Sequence, residues 1–354
     1  MELFDFIGEK SNDMLSKMSE KDKHELLELL KIYRISLRDR LALDPNVTFG
    51  LEFEFGTDNP SKVESGTKTL NYKWLMEKRL NGSWYDFKKE TSSTDGYEIS
   101  SPILIDSIET WKQVKEICSL IESNKCRIDE RDAGHIHFGT QIIGNNPDEW
   151  LTFFRLYCLY ENIIYRFSYG EFEKERSFVS TYAAPLAKEY THRLDKLDEG
   201  IITPSIRKIF TTLAVPHKKC AMQFYKVSEG GTSFEKNRTF EFRMPNASTN
   251  PVIWQNNVNF FAHFVSCVKS GKLDIELLKR KTKEKLDELS KLSRYNLISI
   301  DEALELADLI FDNNLDKINF LRQYMKEFET IDEFRKSESF TKWKYWYINY
   351  YMLY

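Results

Sequence analysis

The sequence predicts an α+β fold in which short strands are separated by long helical excursions, with a helical start and a helical finish. Two observations predict it. Four stretches, VTFGLEFEFG from Val47, DGYEISSP from Asp95, AGHIHFG from Ala133 and RTFEFRMPN from Arg238, alternate apolar and polar residues with the period of two that marks a half-buried strand. Around them run segments with the 3.6-residue apolar period of amphipathic helices.

The chain opens with a predicted helical region over residues 1 to about 45, in which Leu26, Leu27, Leu30, Ile32, Tyr33, Ile35 and Leu37 form a broad apolar stripe closed by Asp44-Pro45. The first strand follows from Val47. TDNPSKVESGTK, from Thr57, reads as a polar loop and NYKWLMEKRL, from Asn71, as a short helix. The run from Asn81 to Ile105 reads as turn, strand, loop and strand, and SIETWKQVKEICSLIESN over 107–124 as a helix leading into the AGHIHFG strand. Residues 147–167 form a strongly apolar helix expected to be buried on most of its surface. Between 168 and 215, YTHRLDKLDE is the clearest helical piece; beyond it, CAMQFYKV and RTFEFRMPN read as two strands joined through Gly230-Gly231. Helical patterns dominate 251–270 and about 273–334, where Ser299 and Glu302 fit a capping box. The aromatic ending WKYWYINYYMLY is too short to span a bilayer and reads as a terminal segment docked on the core.

Composition narrows the function. With 51 Lys and Arg against 55 Asp and Glu, the 354-residue chain carries a formal charge of -4, which offers no electrostatic footprint for nucleic acid or an acidic membrane. The opening MELFDFIGEKSND lacks the basic start and apolar run of a signal peptide, so the expected compartment is the cytosol. Five cysteines, at 118, 126, 158, 220 and 267, include no CxxC pair and read as reduced, mostly buried thiols.

The chemistry lies in the strands. Alternation places Val47, Phe49, Leu51, Phe53 and Phe55 on one face of the first strand and Glu52 and Glu54 on the other, about 7 Å apart. The other strands repeat the division: Tyr97 and Ile99 against Glu98 and Ser100, Ile136 and Phe138 against His135 and His137, Phe240, Phe242 and Met244 against Glu241 and Arg243. Taken singly, each pair reads as a solvated strand face. Gathered on one sheet, they put several carboxylates and imidazoles, without a thiol, where Mg²⁺ or Mn²⁺ suits them better than zinc. Arg243 is unusable as a ligand but well suited to gripping a phosphate. No Walker A sequence, kinase-type glycine loop or GxGxxG is present to hold a nucleotide another way. The same set also fits a metal-dependent phosphohydrolase or nuclease, or a catalytically silent nucleotide-binding protein.

The order and wording of these motifs resemble the amidoligase family, a branch of the carboxylate-amine ligases that share the fold of glutamine synthetase and glutamate–cysteine ligase. The resemblance rests on GLEFEFG at 50–56, ETSSTDGYEISSP at 90–102, AGHIHFG at 133–139, LYENIIYRF followed by Arg176 and STYAAP, and TFEFRMPN at 239–246. It implies a curved antiparallel sheet with helices on its outer face, ATP and Mg²⁺ or Mn²⁺ as cofactors, and amide formation between a carboxylate substrate and an amine substrate through an acyl phosphate. By motif, Glu52, Glu54, Glu98, His135 and Glu241 match metal ligands. His137, Arg243 and Arg176 match nucleotide- or phosphate-binding positions, and Arg243, Glu54 and Glu241 the catalytic set. Where the family shows aspartate-x-serine before the second glutamate strand, this chain has Glu90-Thr91-Ser92. The implied organisation is a helical extension over 1–45, a catalytic domain over 46–270 and a helical region over 271–354 packed on it.

Overall fold

The computed structural model describes residues 2–11, 14–77, 84–90, 96–128, 132–170, 183–198, 204–213, 220–224, 239–289 and 299–326. Among them, β1 (Phe49–Gly56), β2 (Asp86–Lys89), β3 (Gly96–Ser100), β4 (Gly134–Gly139), β5 (Met222–Gln223) and β6 (Thr239–Phe242) form one open sheet. The order is β2-β3-β1-β4-β6-β5, and every neighbouring pair is antiparallel. Register follows the alternation. Glu54 lies opposite Glu98, Glu52 opposite Ser100 on one side and His135 on the other, and His137 opposite Glu241. All the polar residues therefore share one face.

The other face is core. Phe49, Leu51, Phe53 and Phe55 are each at most 2% exposed, which contributes on the order of 6–12 kcal/mol before chain entropy is counted. Three helices cover them: α4 (Ile108–Ser123), α5 (Pro147–Ser168) and α8 (Pro251–Ser266), α6 and α7 being the short helices Ala187–Asp198 and Ile206–Leu213. Phe49 stacks on Trp111 of α4 at 5.7 Å, Phe53 meets Trp254 of α8 at 4.3 Å, and Phe240 meets Phe153 of α5 at 5.7 Å. Asn-Pro steps start two of these helices: Asn146 accepts from the Asp148 amide and Asn250 from Val252, while Pro fills the first helical position, where no amide is needed.

Helix α5 is buried from Trp150 to Ser168, as its apolar pattern predicts, because a second layer covers it: α9 (Ile275–Leu289), α10 (Ile300–Ile310) and α11 (Asn314–Met325). Its buried Arg166 donates to the Met325 carbonyl at 3.2 Å and sits over the Tyr324 ring. The chain's start, α1 (Leu3–Ser11) and α2 (Glu20–Ile32), packs on α11. All five cysteines are free thiols and four are buried.

Three local expectations are corrected. The first helical region ends at Ile32, which is 78% exposed, and residues 33–46 contain no helix. Tertiary partners outbid helix formation there: Gln255 bonds both backbone groups of Arg38, the Arg38 guanidinium meets Asp316 at 2.8 Å, and Asp106 accepts from the amides of Leu41 and Leu43. The polar stretch after Thr57 is not a loop, because α3 runs unbroken over Pro60–Met76. Its polar residues are one side of a helix whose buried positions, Val63, Thr67, Asn71 and Trp74, recur every three or four residues. Finally, Ser299 caps α10 through the Glu302 amide, but Glu302 does not complete the box; its side chain bonds Asn162 and Lys285, and the Ser299 amide donates to the Tyr324 hydroxyl. The aromatic ending and the Gly230-Gly231 loop lie outside the described residues.

At Gly134 of β4 there is no room for a side chain: an added Cβ would stand 2.8 Å from the Asn246 carbonyl oxygen and 2.8 Å from the Trp254 ring of α8. Gly134→Ala is expected to cost about 1–3 kcal/mol, read as a lower urea midpoint at unchanged slope; an unchanged midpoint would show that the backbone yields freely there.

Candidate functional site

Each polar side chain is held by the apolar residues beside it in sequence. Glu52 and Glu54 are flanked by Leu51, Phe53 and Phe55, His135 and His137 by Ile136 and Phe138, and Glu241 by Phe240 and Phe242, all of them buried. The result is a floor of carboxylates and imidazoles with little rotational freedom. Glu54, Glu98, His135 and Glu241 are themselves buried, the Glu241 residue to 1% exposure.

His135 stands at the centre. Its Nδ1 lies 2.9 Å from Glu52 Oε2, 3.2 Å from Glu241 Oε1 and 3.5 Å from Glu54 Oε1. His137 Nε2 is 3.1 Å from the other Glu52 oxygen. Glu54 turns Oε2 to the Ala133 amide at 2.7 Å, which fixes its plane. At the β6 end, Arg243 Nη1 meets Glu241 Oε1 at 2.5 Å; at the β2 end, Lys88 Nζ meets Glu98 Oε1 at 2.8 Å, and Ser100 donates to the same oxygen.

Burial by itself would raise every carboxyl here, and the outcome depends on neighbours. For Glu52 the bonds from His135 and His137 outweigh burial and hold the carboxyl well below the usual carboxylate range. For Glu98, burial reinforced by the Glu52 charge prevails over Lys88 and Ser100, so its carboxyl is pushed up. Glu241 is likewise raised by burial, with Arg243 and His137 opposing and Glu52 assisting. Burial pulls the His137 imidazole down, yet its bond to Glu52 and the charges of Glu241 and Glu52 leave it above the ordinary value.

Among the described residues, two groups have the spacing of metal ligands. Glu52, His137 and Glu241 form one and Glu54, Glu90 and Glu98 the other, with the ligand atoms of each within 4.8 Å of one another. An oxygen-rich donor set with one imidazole fits Mg²⁺ or Mn²⁺. So does the buried Glu241 Oε2, which has no hydrogen-bond partner among the described residues. The sheet thus brings together Glu52, Glu54, Glu98, His135, His137, Glu241 and Arg243, while Arg176 lies outside the described residues. Glu90 is an addition. It follows β2 directly, and its amide donates to the Gly96 carbonyl, so the β2–β3 pairing runs on to Glu90 and alternation puts its carboxylate on the face of Lys88 and Glu98. The signal was its acidic character at a position where the resembled family also has an acid.

A cavity of about 690 Å³ opens at the Gly50 end of the face, lined by Glu52 and His137 together with Thr48, Ser100, Ser101 and Gln141. Its size is that of a small-molecule pocket. No described helix is long and apolar enough to cross a membrane.

A family model described as "Putative amidoligase enzyme" matches residues 45–265, about three-fifths of the chain. No curated protein matches the sequence.

Arg243 is the counter-charge of a buried carboxylate, so its removal is felt by stability as well as chemistry. In chelator, Arg243→Met is expected to lose about 3–5 kcal/mol at neutral pH. Glu241 has a raised folded pKa, which makes its burial destabilising only where the unfolded carboxyl is ionised. Because the unfolded carboxyl is common to both proteins, the deficit should grow as pH rises through the raised folded pKa of Glu241 and fade as pH falls below it. Urea unfolding of both proteins across pH 4 to 7 checks this; a deficit independent of pH would assign the loss to packing.

Proposed function

The chain belongs to the amidoligase family, and from that premise we propose that it is an ATP- and Mg²⁺-dependent carboxylate-amine ligase working through an acyl phosphate on a glutamine synthetase-like sheet. The observation that carries the reading is the joint placement of two carboxylate-rich groups and Arg243 on one face, beside a cavity of substrate size. A carboxylate is a poor acyl donor until its oxygen is made a leaving group by phosphorylation. That step brings the anionic phosphates of ATP against an anionic substrate, so the site must supply positive charge. Divalent cations, held by Glu52, His137 and Glu241 and by Glu54, Glu90 and Glu98, would supply most of it when bound. His135, a metal ligand by motif, stands instead within 3.5 Å of Glu52 and Glu241 of the first group and Glu54 of the second, and orients all three.

Arg243 contributes a fixed charge and paired donors to the transferring phosphoryl group. The substrate carboxylate attacks the γ-phosphorus with loss of ADP, the amine nitrogen then attacks the acyl carbon, and phosphate leaves as the nitrogen gives up a proton. The cavity beyond Gly50 receives a substrate whose reacting end meets Glu52 and His137. The aromatic and aliphatic face behind the sheet takes no part in these steps except to hold the polar residues still.

Purified protein given Mg-ATP with pools of carboxylates and amines is expected to release ADP in a reaction that needs both substrates. Glu54→Gln and Arg243→Ala should each lower the rate by at least about a hundredfold, the loss usual for electrostatic groups at a reacting phosphoryl or acyl centre. ADP release that persists in both variants would refute this site assignment, and phosphate-ester cleavage without ATP would refute the ligase reading in favour of a hydrolase.

A further inference from the structure

Lys88 has no part in the roles assigned above. It stands in β2, at the edge of the sheet, in register with Glu98, and so faces the same side as the carboxylates. Its ammonium is 2.8 Å from Glu98 Oε1; the Glu98 side chain is 5% exposed, that of Lys88 48%. Glu98 in turn belongs to the Glu54, Glu90 and Glu98 group. An ammonium and a divalent cation at one carboxylate oxygen repel each other, so they compete for it.

Building on the ligase reading, we propose that Lys88 is an exchangeable counter-cation and a positioning residue: it neutralises Glu98 before metal binds, is displaced by the divalent cation, and then holds the phosphate-bearing anion from the β2 side. Three features support the exchange. The side chain is a long, flexible stem carrying a compact charge, and half of it already faces solvent, so displacement exposes no core. The charges two residues either side of Lys88 are both acidic: Asp86, in register with Ser100, and Glu90, which shares the ligand group of Glu98 and so draws a divalent cation to the oxygen that Lys88 holds. Arg243, the other flanking cation, follows β6, four strands from β2 and therefore roughly 19 Å away across the sheet. An anion seated over the carboxylates meets a cation from each end.

Two titrations of the full chain test this, each on wild type, Lys88→Met and Lys88→Arg: Mn²⁺ alone followed by its paramagnetic signal, and inorganic phosphate followed by calorimetry on Mg²⁺-saturated protein. Lys88→Met should bind Mn²⁺ about three- to fivefold more tightly, the size expected of a partly exposed ion pair, and phosphate more weakly by a similar factor. Lys88→Arg should restore phosphate binding. The opposite signs matter, because a damaged edge strand would weaken both ligands together, and that outcome refutes the proposal. Unchanged Mn²⁺ affinity in Lys88→Met refutes the exchange, and unchanged phosphate affinity refutes the positioning role. Wild-type protein that binds no Mn²⁺ refutes the ligase reading and this proposal with it, whereas wild type that binds Mn²⁺ and releases ADP but is insensitive at Lys88 refutes this proposal alone.

Discussion

Everything on the reactive face depends on the seating of β1 against α4 and α8. Phe49 on Trp111 and Phe53 on Trp254 fix which way the strand faces. A slip of one residue would drive Glu52 and Glu54 into the aromatic core and expose four large apolar side chains, a penalty far beyond the stability of a whole domain. With β1 fixed at the centre of the sheet, antiparallel pairing dictates the rest: Glu98 must face Glu54, His135 must face Glu52, and Glu241 must face His137. The site is a consequence of register.

Register also creates an electrostatic problem. Glu52, Glu54, Glu98 and Glu241 share a face on which the last three are buried, and the chain answers with His135 and His137 inside and Arg243 and Lys88 at the ends. The answer is partial. Glu52 is held low by its two imidazoles, while burial pushes the carboxyls of Glu98 and Glu241 up. A face of crowded carboxyls with a buried carboxylate oxygen lacking a described partner is chemically suited to a cation, since a divalent ion relieves repulsion and satisfies that oxygen at once.

Behind the site, a row of amides on α8 does the mechanical work. Gln255 bonds the backbone of Arg38, Asn256 bonds Gln323 and the Asn319 carbonyl, Gln323 reaches Asn257 and the Phe167 carbonyl, and Asn259 bonds Asp316. These polar groups tie the non-helical segment 33–46, the central helix α5 and the late helix α11 to the element that seats Phe53. The bonds of Asn256, Asn259 and Gln323 are between buried groups, so a break at any of these leaves its partner unsatisfied. The core is thereby specified as well as stabilised.

The faces of β1, β3, β4 and β6, and hence Glu52, Glu54, Glu98, His135, His137, Glu241 and Arg243 as one set, were legible in the sequence, because a period of two is a local property that needs no partner to be read. The buried helix α5 and the Ser299 cap were legible for the same reason. Only tertiary structure decided the rest. Glu90 joins Glu54 and Glu98, and Lys88 reaches Glu98, because β2 and the residue after it pair with β3. Residues 33–46 are non-helical because Gln255, Asp106 and Asp316, distant in sequence, supply what helical hydrogen bonds would have. Which charge meets which, and how far burial shifts each one, is set by distances between strands and helices far apart along the chain.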